Sequence, residues 1–180
     1  MKLIQTITLS VGAPMLLRRM KQEIGSQGTL SGPTAAWMWV TYGIHSALLL
    51  DAFATATTAP PLARPVRGTL QALTVMGMSM CLAGMRRFAS PAQLSGTDVG
   101  DLVTGGIYRY SRNPQYLGAV VALFATSALC RSVKGTVLTG ALLAAYRVWV
   151  PIEENHLHRQ FDPAYRRYRA ATPRWLRIRA

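Results

Sequence analysis

Long uncharged apolar runs separated by clusters of Arg and Lys constrain this 180-residue chain more than any other feature. A helix needs about 20 mainly apolar residues to cross a hydrocarbon core of about 30 Å. Four stretches approach or reach that length: Thr34 to Thr57, Val66 to Met85, Tyr116 to Cys130 and Gly135 to Ile152. Half of the residues are apolar although the formal net charge is +13. A soluble nucleic-acid binder would spread such charge over polar helices instead of leaving apolar runs between basic clusters. Nucleic acid is therefore set aside as a partner, and membrane lipids take its place. The expected fold is all-α, an integral membrane helical bundle of four or five transmembrane helices with short cytosolic interfacial helices. One domain over 1–180 is expected.

The start, Met1 to Leu17, resembles a signal peptide, but Arg18, Arg19 and Lys21 stand where small residues would mark a cleavage site, so the segment is expected to stay attached. Gly12, Ala13 and Pro14 interrupt it, which leaves a short fifth span or an interfacial helix. Ser132 to Gly135 is long enough only for a tight turn, so the last two spans form a helical hairpin. Pro60, Pro61 and Pro65 mark the loop between the first two spans. Trp37, Trp39 and Trp149 lie near span ends, where amphipathic rings favour the headgroup level.

Positively charged loops stay cytoplasmic. Placing Arg18 to Lys21, the Arg86 to Arg112 loop and the C-terminal tail inside leaves Lys2, Arg64, Arg67, Arg131 and Lys134 outside. The expectation is a multi-pass protein with a cytoplasmic C-terminus, in the cell inner membrane if the source is bacterial. The two most polar segments then share the cytosolic side.

Cys81 and Cys130 sit alone in apolar runs, and no residue spacing points to a metal. Gly105-Gly106 is not followed by the remaining glycines of a dinucleotide fingerprint, which argues against a soluble Rossmann methyltransferase. Gly77, Cys81 and Gly84 are small enough to let neighbouring helices approach closely. Met76, Met78, Met80 and Met85 read as adaptable packing or a lipid-facing surface. His45, in the middle of the first strong span, is either part of a substrate pocket or a neutral, hydrogen-bonded packing residue.

Two segments carry chemistry. The first, LVTGGIYRYSRNPQYLG from Leu102 to Gly118, is a glycine-containing turn, an aromatic and basic stretch, and Asn113-Pro114, which allows a helix to begin at Pro114. The free N–H groups of that helix would suit an anionic group. In the second, Glu153 and Glu154 form the only adjacent acidic pair among seven acids and follow an apolar span directly. Ionisable groups so near hydrocarbon are functional candidates by default. Beyond them, Asp162 and Pro163 read as the N-cap and first position of a short helix that carries Tyr165 and Tyr168 on one face among basic residues. The bland alternative is a basic amphipathic tail lying on anionic lipid.

Together, LVTGGIYRYSRNPQYLG, a helical hairpin and EExxLxxxFxxxYxxYxxxxPR resemble the catalytic module of the isoprenylcysteine carboxyl methyltransferase and phospholipid methyltransferase superfamily, over 93–174. The resemblance implies an integral membrane methyltransferase that uses S-adenosyl-L-methionine. It implies cofactor contacts from Leu102, Val103, Tyr108, Asn113, Pro114, Gln115, Tyr116 and Glu153, with Gln93, Gly100 and Asp101 added by their spacing upstream. Asn113 stands where isoprenylcysteine enzymes usually carry His, and Asp162 where they carry Gly. Asn cannot shuttle a proton near neutral pH, which weakens the inference to a prenylcysteine substrate.

Methyl transfer from a sulfonium is a direct displacement, so the main task is to hold the reacting atoms in line. The acceptor is lipophilic, an isoprenylcysteine-like carboxylate or a phospholipid amine. A carboxylate would be held by Arg112 or Arg147, and an amine would give its proton to water or Glu154. Two rivals stand beside this reading. A membrane reductase using NADPH shares the C-terminal resemblance but belongs to longer proteins, and a non-catalytic membrane protein would bind lipid through its basic tail.

Overall fold

The structure, a computed structural model, describes residues 2–56 and 62–176, with side chains from Val11 onward. Met1, Thr57, Pro60 and Pro61 and the Lys2 side chain, all part of the reading above, lie outside the described residues. The helices are α1 (Lys2–Ser26), α2 (Gly32–Ala54), α3 (Arg64–Met85), α4 (Pro91–Leu94), α5 (Pro114–Leu129), α6 (Val133–Phe161) and α7 (Ala164–Ala171), with a 3₁₀ turn at Gly106–Arg109 before α5. No strand occurs among the described residues, and the all-α expectation holds. Among them, Arg64–Met85 and Val133–Phe161 are long and apolar enough to cross a membrane, while Pro114–Leu129 is apolar but shorter.

Gly12, Ala13 and Pro14 do not interrupt α1, which continues through Pro14 to Ser26. A proline inside a helix removes one hydrogen bond and costs about 3 kcal/mol, so burial has to offset it. Leu16, Met20 and Ile24, spaced four apart on one face, are buried with Leu30 against Trp37, Met38, Trp149 and Ile152. Two of the tryptophans expected at the headgroup level, Trp37 and Trp149, are thus turned toward this cluster. Glu23 then fixes the next helix. Its carboxylate accepts from Ser31 N at 2.8 Å, Ser31 Oγ at 3.0 Å and Thr34 Oγ1 at 2.7 Å, at the start of α2. On α2, His45 is buried with its Nε2 unpartnered among the described residues, and it lies apart from the cavity described below.

The α3–α5 contact is made backbone to backbone through small residues. A Cβ added at Gly77 would lie 2.7 Å from Gly118 O, and one added at Gly118 would lie 2.6 Å from Cys81 N. At Gly84 the same test meets Gln115 N at 3.0 Å. Such close approach is how helices without a hydrophobic driving force between them gain contact. The opposite face of α3 leaves Val75, Met76, Met78 and Leu82 exposed.

The expected hairpin forms between α5 and α6, but its turn is Cys130 to Ser132, two to three residues earlier than the sequence indicates. Arg131 takes a positive φ of 51°, and Ser132 caps α6 by accepting from Gly135 N at 3.0 Å. The Ser132 hydroxyl also donates to Ala52 O of α2 at 2.8 Å. α6 does not stop near Pro151: its 29 residues run on to Phe161. At 1.5 Å per residue that is about 43 Å, longer than a hydrocarbon core of about 30 Å, so the turns carrying Glu153 and Glu154 project past the apolar part. Asp162 ends α6 instead of capping α7, which starts at Ala164. Because α6 consumes the residues up to Phe161, the Asp162 carboxylate faces His158 at 3.8 Å and Arg166 at 3.7 Å.

Candidate functional site

The segment between α3 and α5 is folded by its own side chains. Ser90 Oγ accepts from Gln93 N at 3.1 Å while Gln93 Oε1 accepts from Ala89 N at 2.8 Å, a reciprocal cap that sets α4. The Gln93 amide then donates to Asp101 O at 2.9 Å. Gly100, at φ 56°, is where the chain passes under Gln93, since an added Cβ would lie 2.5 Å from the Gln93 side chain. These contacts lay Asp101, Leu102 and Val103 along one wall of a cleft.

The 3₁₀ turn follows and buries Tyr108, whose hydroxyl donates to Gln115 Oε1 at 2.9 Å and whose ring meets Phe88 edge-on. Burial raises the Tyr108 hydroxyl well above its ordinary pKa, so it stays a donor. α5 begins at Pro114, as the Asn-Pro signal predicts.

Glu154 gathers three segments at one carboxylate. Arg112 forks onto it, Nε to Oε1 and Nη2 to Oε2, both at 3.1 Å. Asn113 Nδ2 donates to Oε1 at 3.1 Å, and Arg174 Nη2 donates to Oε2 at 2.8 Å. Arg112 Nη1 also donates to Thr172 O at 2.6 Å, and its backbone N–H donates to Pro173 O. The Glu154 carboxylate raises the Arg174 guanidinium above its ordinary value, so the pair stays ionised. The side chains of Arg112 and Glu154 are only 8% and 7% exposed. Their hydrogen bonds are spent on each other and on the tail. Arg112 and Glu154 thus join the start of α5, α6 and the tail while lining the cleft.

Glu153, one residue earlier and about 100° around the helix, has a different environment. Its Oε2 accepts from the Tyr116 hydroxyl at 3.0 Å, and that hydroxyl in turn accepts from Trp149 Nε1 at 3.0 Å. Glu153 lines the cleft between these segments.

Of the residues singled out from sequence, Gln93, Asp101, Leu102, Val103, Tyr108, Arg112, Asn113, Gln115, Glu153 and Glu154 line this cleft. Four do not. Gly100 lies under Gln93, Pro114 is buried at the start of α5, Tyr116 stands behind Glu153, and Arg147 is exposed on α6 away from the lining. The lining also contains residues not singled out for the site. Trp149, His156 and Leu157 share the face of Glu153 at helical spacing, a signal present in the sequence. Tyr165 and Tyr168 come inward from α7, whose helix carries them off the expected lipid surface, and Tyr168 donates to Tyr108 O at 2.7 Å. The Tyr165 hydroxyl is buried without a partner among the described residues. Ile24 near the end of α1 and Gly28 of the α1–α2 connection also line the cleft. Nothing local in their sequence marks them for this.

The arrangement offers a fixed carboxylate, several aromatic faces and one buried hydroxyl with unspent capacity. Carboxylates bind vicinal hydroxyls, and aromatic faces attract cations. That donor set fits the ribose, adenine and sulfonium of S-adenosyl-L-methionine. Among the described residues, no cluster of three His, Cys, Asp or Glu is placed to hold a metal. The model of the phospholipid methyltransferase family matches residues 69–164, from α3 through the two carboxylates to the start of α7. No curated protein and no solved structure matches the chain.

Proposed function

Because the match spans more than half of its length, this chain belongs to the phospholipid methyltransferase family, membrane methyltransferases acting on lipid-like substrates, and from that premise we propose that it methylates a lipophilic acceptor using S-adenosyl-L-methionine held in the cleft. The observation that carries the proposal is the Glu153 carboxylate, fixed by Tyr116 and Trp149 and turned into the cleft. The module 93–174 supplies most of the lining, with α1 and the connection after it completing it within a single domain 1–180.

The cofactor supplies an electrophilic methyl group on a cationic sulfur. Glu153 would hold its ribose hydroxyls. The rings of Tyr108 and Trp149 would face the cation and keep water from it, and Leu102 and Val103 would pack on the adenine. Gln93 and Gly100 act earlier, by shaping the loop that carries those residues. Tyr116 orients Glu153 and does not reach the cleft. Pro114 starts the helix that presents Gln115.

The acceptor's lone pair forms the new bond while the sulfur–methyl bond breaks toward sulfur. A carboxylate acceptor needs no base, whereas an ammonium must first lose a proton. Arg112 and Glu154 are committed elsewhere, so that proton goes to water in the open cleft. The excess of Arg and Lys in the loops at this end supports a cytoplasmic face for it, with several crossings and a cytoplasmic C-terminus.

Calorimetry on detergent-purified protein tests the reading. Wild type should bind S-adenosyl-L-methionine, and Glu153→Ala should weaken binding about 10- to 100-fold, the value of hydrogen bonds to a charged group. Folded wild-type protein that binds NADPH instead would favour a reductase. Protein that binds neither would favour a non-catalytic membrane role.

A further inference from the structure

A second concavity lies on the other side of the 3₁₀ turn from the cleft. It is open, with a volume of about 680 Å³, and is bordered by Met80 of α3, by Ile107, Arg109 and Tyr110 of the turn, and by Pro173 and Leu176 of the tail. Its two ends differ in chemistry. At one end Met80 continues the face on which Val75, Met76, Met78 and Leu82 are exposed. An exposed apolar stripe of that kind on a membrane helix meets acyl chains. At the other end stand the Arg109 guanidinium and the ring of Tyr110, 70% exposed. Arg and Tyr are the side chains that meet lipid headgroups at the membrane surface.

The charge is one-sided. Among the described residues, no acid borders the groove. Arg87 packs against the start of the same turn, its Nη2 3.0 Å from where a Cβ on Gly105 would lie. The chain as a whole carries +13. An occupant with an apolar body along α3 and an anionic head at Arg109 satisfies both ends.

We propose that this groove binds one anionic membrane phospholipid, at a site separate from the methyl-transfer cleft. The two sites share a wall. Tyr108 faces the cleft while its neighbours Ile107 and Arg109 face the groove, and Pro173 at the groove edge accepts from the Arg112 backbone N–H. A seated lipid therefore braces the turn and the tail that hold the cleft together. The site does not depend on the chain being a methyltransferase.

Native mass spectrometry of protein equilibrated with equal amounts of phosphatidylglycerol and phosphatidylcholine in mixed micelles tests this. Phosphatidylglycerol carries neither an amine nor a carboxylate, so its retention cannot be acceptor binding. Wild type should retain one phosphatidylglycerol in preference to phosphatidylcholine. Arg109→Ala should reduce that preference about fivefold, the value of one cation at an anionic surface, while Arg109→Lys should keep most of it. Arg67→Ala, at the far end of α3, serves as the control and should behave as wild type. Equal retention of the two lipids by wild type would overturn the proposal. So would an unchanged preference in Arg109→Ala, or an equal loss in Arg67→Ala. Arg109→Lys keeps the test open if Arg109→Ala fails to fold, since a lost preference in folded Arg109→Lys points away from a headgroup charge contact.

Discussion

Glu153 and Glu154 are neighbours in sequence on one helix, yet they serve two different regions of the molecule. Glu154 accepts from Arg112, Asn113 and Arg174 and joins α6 to the start of α5 and to the tail. Among the described residues, Glu153 accepts from the Tyr116 hydroxyl, which Trp149 supports, and it lines the cleft. The difference teaches where to look for function. A buried charge whose partners are all supplied by the protein holds the fold together, and a charge left with capacity to spare awaits a ligand.

The comparison breaks first at Glu154. Glu154→Ala leaves the Arg112 guanidinium buried without its carboxylate, and loss of one partner from a buried pair costs about 3 to 5 kcal/mol. A large fall in melting temperature in detergent should follow. A melting temperature near that of wild type would mean that the junction does not hold the tail. Glu153→Ala should do the reverse, losing affinity for S-adenosyl-L-methionine while melting close to wild type, since the one hydrogen bond removed from Tyr116 is offset by relief of the carboxylate's burial. Equal effects of the two substitutions on stability and affinity would erase the distinction.

Smaller changes sharpen it. Tyr116→Phe removes the donor that orients Glu153 and leaves Trp149 Nε1 without its acceptor. Affinity for S-adenosyl-L-methionine should fall about fivefold, as expected for one hydrogen bond worth about 1 kcal/mol, and Tyr116→His should recover part of it. Arg147→Ala should change neither affinity nor melting temperature measurably, because the side chain lies outside the cleft lining and is exposed. A calorimetric loss there would return Arg147 to the site.

Much of this architecture was legible in the chain. Asn113-Pro114 announced the start of α5, since proline restricts its predecessor and fits the first helical position. Gly77, Cys81 and Gly84 announced a close helix contact, and the seam runs through them to Gly118 and Gln115. The order of the two motifs placed most of the cleft lining. What failed was the reading of Gly12, Ala13 and Pro14 as an interruption, since α1 continues through them, as α6 continues through Pro151. A local penalty of about 3 kcal/mol is outweighed when the turns beyond it bury Leu16, Met20, Ile24 and Ile152 together.

The sequence by itself determined that the chain builds apolar helices with basic ends, and the order of its two motifs carried the resemblance to the family. The first follows from composition and the second from spacing along one strand of chain. Only the tertiary structure decided that Glu154 is spent and Glu153 is open, that Trp149, Tyr165 and Tyr168 turn inward, and that Ile24 and Gly28 line the cleft. Those outcomes depend on which groups arrive from distant parts of the chain. Arg174 reaches Glu154 across 20 residues, and Arg112 across 42. Hydrogen-bond capacity is spent or kept according to such arrivals, and local pattern carries no record of them.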